Sequence, residues 1–141
     1  MSNKTLAIIK PDAVAKNSIG GIVAQIQNAG FKVNALKLTK LSPLQAGEFY
    51  SIHKERPFYN DLIAYMTSGP VVPIALEKEN AVEEFRKLIG ATDPLKAEEG
   101  TIRKIFGVNI EANAIHGSDS DENAKNEILF FFSQSEVANN Q

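Results

Sequence analysis

The sequence predicts an α+β protein, a ferredoxin-like βαββαβ sandwich in which a four-stranded antiparallel sheet is covered by helices. Three observations carry that expectation. Strand-like runs and helical stripes alternate in the order strand, helix, strand, two short helices, strand, helix, loop, strand, helix. Caps and breakers bound most of the helical stretches. No repeat, low-complexity tract or composition shift divides the 141 residues, so one domain over 1–141 is expected.

The first strand is Thr5 to Lys10, an almost unbroken apolar run closed by Pro11. Its last residue, Lys10, reads either as a solvated strand end or as a charge placed for use. Gly20-Gly21 precede a helix with Ile22, Val23 and Ile26 on one stripe, stopped by Gly30. Phe31 to Leu38 is the second strand. Phe31, Val33 and Ala35 share one face, but Leu36 and Leu38 fall on the other, so either a bulge reverses the faces or both faces are covered.

Ser42-Pro43-Leu44-Gln45 has the form of a capping box with proline at N1. Its helix carries Phe49 and Tyr50 and reaches His53, and Arg56-Pro57 breaks it before a second short helix with Phe58, Leu62, Ile63 and Met66. After the turn Ser68-Gly69-Pro70, Val71 to Leu76 reads as a strand in which Pro73 removes one ladder donor. Asn80 to Ile89 follows as a helix with Asn80 as N-cap, Glu83 at N3 and Gly90 as terminator. Its core stripe should be positions 82, 85, 86 and 89, which puts the cation Arg86 beside Val82, Phe85 and Ile89. Snorkelling would account for Arg86 blandly, and a bound phosphate or carboxylate would account for it better.

Gly90 to Ala112 has little periodicity beyond a helical turn at Thr101–Phe106, and its hydroxyl and basic residues suit phosphate contacts. Ala114-Ile115 then run into His116, one of two histidines, and Gly117-Ser118-Asp119-Ser120 opens a last helix from about Asp119 to Phe132. A histidine at a strand end facing a helix N-terminus suits an anion, and a neutral imidazole can act as a nucleophile. On the last helix Glu127 shares a stripe with Ala124, Ile128 and Phe131, where an unpaired carboxylate would be costly. The polar tail Ser133 to Gln141 is expected to pack loosely or on a neighbour.

Composition narrows the function. A net charge of −2 argues against a nucleic-acid binder, and no apolar run approaches the roughly 18 residues that a spanning helix needs. The absence of cysteine excludes disulfides and thiolate metal sites. Met1-Ser2-Asn3-Lys4 leads straight into the first strand with no secretory pattern, and a cytoplasmic protein without membrane partners is expected.

Five blocks, in order and with their spacing, resemble the nucleoside diphosphate kinases over nearly the whole chain: Ile9-Lys10-Pro11-Asp12-Ala13-Val14, Met66-Thr67-Ser68-Gly69-Pro70, Gly90-Ala91-Thr92-Asp93-Pro94, Gly100-Thr101-Ile102-Arg103, and Asn113 to Ser120 with Ile-His-Gly-Ser-Asp-Ser. The resemblance implies ping-pong transfer of the γ-phosphate of ATP to a nucleoside diphosphate of any base, through a phosphohistidine. It implies that His116 is the nucleophile, oriented by Glu127 and Ser118, with Lys10 and Tyr50 beside the transferred phosphate. Arg86, Thr92 and Arg103 would contact phosphates, Asn113 the ribose, and Phe58 would stack on the base. Mg²⁺ would ride on the nucleotide phosphates without protein ligands, and the chain would form a homo-oligomer, either tetramer or hexamer. Two departures, Lys104-Ile105 where many relatives have Gly-Asp and Glu111-Ala112 where many have Gly-Arg, bear on loop packing and subunit contacts. A non-catalytic binding module would explain the same fold, but not His116, Glu127, Arg86 and Arg103 at these spacings.

Overall fold

The unbroken apolar character of the first strand follows from where it lies. In the computed structural model, which describes residues 3–137, that run is β1 (Lys4–Ile9). The other strands are β2 (Lys32–Leu36), β3 (Val72–Glu77) and β4 (Ile115–Gly117). The sheet order is β2-β3-β1-β4 with every pairing antiparallel, as the βαββαβ reading requires. The inner strand β1 is covered on both faces: Ala7 and Ile9 enter one apolar layer, Leu6 and Ile8 the other.

The helices are α1 (Pro11–Ala15), α2 (Ile19–Asn28), α3 (Pro43–Phe49), α4 (Tyr59–Met66), α5 (Ala81–Ile89), α6 (Ile102–Phe106) and α7 (Asp121–Phe131). The crossover helices α2 and α5 pack on the same face, contributing Ile22, Ile26, Phe85 and Ile89, with Ala13 of α1 and Ile102 of α6 beside them. The opposite face is covered by the additional helices, through Ala46 of α3, Met66 of α4, and Ile128 and Phe131 of α7.

Several local expectations shift. Pro11 ends the first strand but also occupies N1 of α1, a short helix with Asp12 in its first turn. Gly20 and Gly21 lie inside α2 rather than before it, and at Gly21 the lack of a side chain lets α6 pack close: a Cβ there would sit 3.2 Å from the Phe106 ring. The capping box at Ser42 forms, yet the α-helix stops at Phe49 and a 3₁₀ turn continues through Ser51–His53. Asn80 caps α5 differently from expectation. It sits at φ +56°, and its side-chain amide donates to Glu83 instead of accepting a backbone N–H.

A bulge between Val33 and Ala35 settles the face reversal in the second strand, turning Val33 toward one layer and Ala35 toward the other. Beyond it, Leu36 and Leu38 lie exposed on the sheet edge. Pro73 causes no bulge of its own. Its carbonyl accepts from Lys37 N–H, so its missing donor also faces β2, at the point where β2 leaves the ladder after Leu36. Arg86 is not part of the buried stripe of α5, which is Ala81, Val82, Phe85 and Ile89; it lies exposed on the border of that stripe. Ser133 N–H bonds to Glu136 in a last 3₁₀ turn, while residues 138–141 of the predicted loose tail lie outside the described residues.

Phe85 is fully buried and meets Phe31 edge-on with ring centroids 5.3 Å apart. Truncation by Phe85→Ala should cost about 3–5 kcal/mol, read from denaturant unfolding at fixed protein concentration. A cost under about 1 kcal/mol would show that this layer is not the packed core described.

Candidate active site

Strand β4 is three residues long, and its pairing with β1 sets His116 opposite Ile8. Alternation along the strand sends Ile115 into the α2/α5 layer and His116 to the other face, where its ring meets Phe49 of α3 at 5.7 Å between centroids. Gly117 allows β4 to come this close to α5, since a Cβ there would lie 3.0 Å from both Phe85 and Ile89. The chain then turns through Ser118 and Asp119 into α7, whose first turn is capped by the Ser120 hydroxyl accepting from Asn123 N–H.

Two turns along α7, Glu127 faces back to the histidine. His116 Nε2 lies 3.0 Å from Glu127 Oε1, and Ser118 Oγ donates to the same oxygen at 2.7 Å. Ser118 is fully buried and accepts Leu6 N–H at 3.1 Å, which ties the cluster to β1. A carboxylate only accepts, so the proton between the two side chains belongs to Nε2, and Nδ1 keeps its lone pair. Tyr50 is buried nearby. Burial, then the charge of Glu127, pushes its hydroxyl well above the usual phenol range, so it stays protonated.

The cationic side of the site is built from the residue that follows β1, the approach to β4, the loop after α5 and the first turn of α6. Lys10, nine-tenths buried, donates from Nζ to Asn113 Oδ1 at 2.8 Å, and Asn113 Nδ2 donates to the Thr92 carbonyl at 3.0 Å. Burial, followed by the charge of Arg103, lowers the Lys10 ammonium to about 8 despite the opposing effect of Asp12 and Glu111. Arg103 donates to the carbonyls of Gly90 at 3.1 Å and Ile115 at 2.8 Å, while its buried Nε has no partner. Burial and then Arg86 lower its guanidinium to about 10. Gly90 makes this approach possible: its φ is +89°, and a Cβ would fall 2.6 Å from the Thr101 hydroxyl.

These groups surround two adjoining cavities. One, of about 680 Å³, is lined by Lys10, Tyr50, Phe58, Asn113, His116 and Glu127, among others. The other, of about 590 Å³, is lined by Arg86 and basic neighbours, and the two share Thr92, Arg103, Gly117 and Asp119 in their walls. All ten residues singled out in the sequence therefore converge, nine on the cavity walls and Ser118 behind them. Phe58 precedes α4 and is 47% exposed. Sequence reasoning missed Ile110 and Leu62, which line the same cavity as Phe58, and Asp119, which borders both. Ile110 lies in the aperiodic loop, where no stripe could mark it. Among the described residues no group of three or more His, Cys, Asp or Glu could hold a metal ion, and no helix is long and apolar enough to cross a membrane.

Comparison with known proteins points to one family. The family model described as nucleoside diphosphate kinase matches residues 3–137. The nucleoside diphosphate kinase of Chloroherpeton thalassium is 58% identical over 137 residues, covering 97% of each chain. Among solved structures, the Aquifex aeolicus nucleoside diphosphate kinase superposes with a TM-score of 0.95 at 44% identity, covering 98% of this chain and all of that one. A halophilic nucleoside diphosphate kinase from Halobacterium salinarum, solved in complex with CDP, gives 0.93 at 34% identity over 100% of this chain and 94% of that one. With matches of this extent in both sequence and structure, the chain belongs to the nucleoside diphosphate kinase family.

Proposed function

We propose that this chain performs the family's phosphate transfer through a covalent phosphate on His116 Nδ1. The observation that carries the reading is the contact of His116 Nε2 with Glu127, which leaves Nδ1 as the free nitrogen on the cavity side. In the first half-reaction the Nδ1 lone pair attacks the γ-phosphorus of a nucleoside triphosphate in line, the bond to the β-phosphate oxygen breaks, and the nucleoside diphosphate leaves. The second half runs the same steps in reverse with another diphosphate as acceptor. Phosphorylation draws electron density from the ring, and the Glu127 carboxylate stabilises the positive character at Nε2–H. Because the bond broken in one half is equivalent to the bond made in the other, the equilibrium constant lies near unity and nucleotide concentrations set the direction.

Lys10, Arg86 and Arg103 answer the charge on the phosphoryl oxygens. Their mutual repulsion and the unpartnered Arg103 Nε are relieved by an anion in the adjoining cavities. Magnesium enters as part of the substrate, held by phosphates and water. Phe58, with Ile110 and Leu62, offers the base an apolar slot, and the CDP complex of the halobacterial relative supports nucleoside diphosphates as ligands. Asn113 and Lys10 hold the ribose end, and Thr92 joins the arginines on the phosphates. We place the reaction in the cytoplasm, and we assign the exposed Leu36 and Leu38 at the sheet edge to self-association, as tetramer or hexamer.

Incubation with γ-labelled ATP and Mg²⁺ should leave an acid-labile, alkali-stable phosphate that GDP, CDP and UDP each remove. Equal labelling of His116→Ala would overturn the assignment. Phe58→Ala should weaken all nucleotides alike, and selective loss of one base, measured by calorimetric titration, would contradict stacking. Lys10 gives opposite pH dependences for binding and stability. Nucleotide affinity should fall as pH rises through about 8, where free Lys10 loses its charge. Stability should rise over the interval from about 8 to the ordinary 10.5, because there the unfolded chain binds the extra proton. Affinity that stays level across that interval would remove Lys10 from the phosphate site.

A further inference from the structure

Asp12 lies outside both cavity walls, yet its carboxylate joins three parts of the fold that meet at the site. It sits in the first turn of α1, two residues after Lys10. Tyr65 of α4 donates its hydroxyl to Asp12 Oδ1, and the Asp12 N–H donates to the Tyr65 oxygen at 3.1 Å. The other carboxylate oxygen, Oδ2, accepts Ala114 N–H at 3.1 Å.

Ala114 is an unusual residue to find at that place. It is fully buried and has φ +75°, a region that an L side chain rarely occupies. Ile115 N–H bonds back across it to the Asn113 carbonyl at 2.9 Å, which closes a γ-turn of the rare, strained hand. Its own carbonyl accepts Lys10 N–H at 2.8 Å. Without Asp12, the buried Ala114 N–H would lack an acceptor and the residue would have reason to relax to negative φ. That rotation would move Asn113, and with it the Lys10 ammonium that Asn113 holds at 2.8 Å, relative to His116 on β4.

We propose that Asp12 and Tyr65 form a positioning pair that locks the Ala114 turn, so that Lys10 and Asn113 on one side and His116 on the other address the same phosphate. Neither residue touches substrate. Through Tyr65 the lock also reaches α4, the helix that Phe58 precedes, so base slot and phosphate end share one anchor. Burial and the Asp12 carboxylate push the Tyr65 hydroxyl far up, against the smaller opposing effect of the Asp12 N–H, which keeps it a donor.

The inference rests on His116 as the phosphate carrier, and single-turnover labelling of His116 at saturating γ-labelled MgATP separates the two claims. Asp12→Ala should slow labelling by about tenfold or more, because misplacing reacting groups is costly. In an Ala114→Gly background the same change should cost less than about threefold, since glycine takes positive φ without help. A purely structural role would give equal costs in the two backgrounds, and that result, or wild-type labelling by Asp12→Ala, overturns the proposal. Should Asp12→Ala not fold, Tyr65→Phe carries the test: slower labelling that the Ala114→Gly background restores supports the lock, and wild-type labelling, or an equal cost in both backgrounds, overturns it. A wild-type protein that takes no label on His116 overturns the carrier reading and this inference with it.

Discussion

Glu127 Oε1 is the atom on which the site depends. It receives both the His116 Nε2–H and the Ser118 hydroxyl, and both donors are fixed to the inner strand β1. His116 is held by β4 pairing with β1, and Ser118 by the Leu6 N–H of the same inner strand. Placing α7 against the sheet therefore does two things together: it buries Ile128 and Phe131, and it presents Glu127 to the histidine. A carboxylate this sheltered is tolerable only with its donors in place, so the packing of the second layer and the tautomer of His116 are linked. The free Nδ1 proposed as the nucleophile is in this sense a consequence of how a helix sits on a sheet.

The cations pose the opposite problem. Lys10 is lowered by burial and by Arg103, and Arg103 by burial and by Arg86, so positive charge is held there at a cost to the fold. Their remaining hydrogen-bonding groups are turned to uncharged partners: Lys10 to Asn113, Arg103 to two backbone carbonyls. Carbonyl and amide oxygens orient these side chains without neutralising them, as a carboxylate would. Positive charge is thereby kept available for a polyanion, and pre-orientation avoids rearrangement at the moment of transfer.

How much of this was legible in the chain depended on whether the signal was local. The capping box at Ser42 with Pro43 at N1 and the apolar stripes of α5 and α7 are written within single turns, and those helices start where expected. Ionisable residues at or beside apolar stripes pointed to Glu127 and Arg86, although Arg86 proves to border its stripe rather than enter it. What could not be read were long-range effects. Gly21 lies within α2 where its lack of a side chain lets a ring on α6 pack close, and the left-handed Ala114 is held by a carboxylate from α1. An alanine carries no mark of positive φ, and an aspartate in a first helical turn looks like ordinary dipole compensation. Helix α1 was not foreseen: Pro11 reads as the end of the first strand, and five residues are too few for periodicity to register.

The two departures from the family pattern lie where the site can accept them. Ile105 is exposed on α6, while Arg103, two residues earlier, turns inward to Gly90 and Ile115. The Glu111-Ala112 step belongs to a loop that closes on itself: Val108 N–H reaches the Ala112 carbonyl at 2.8 Å, and Ala112 N–H reaches Asn109 Oδ1 at 2.8 Å. This closure leaves Asn113 free to enter the site. Glu111 is not neutral there, because it lines the cavity with Lys10 and its charge favours the protonated ammonium, against burial and Arg103. An acid in an exposed place repels an anion only weakly, yet it helps keep charged the lysine proposed to bind phosphate. Glu111 therefore shifts the balance within the cationic cluster, while the contact of His116 with Glu127 does not involve it.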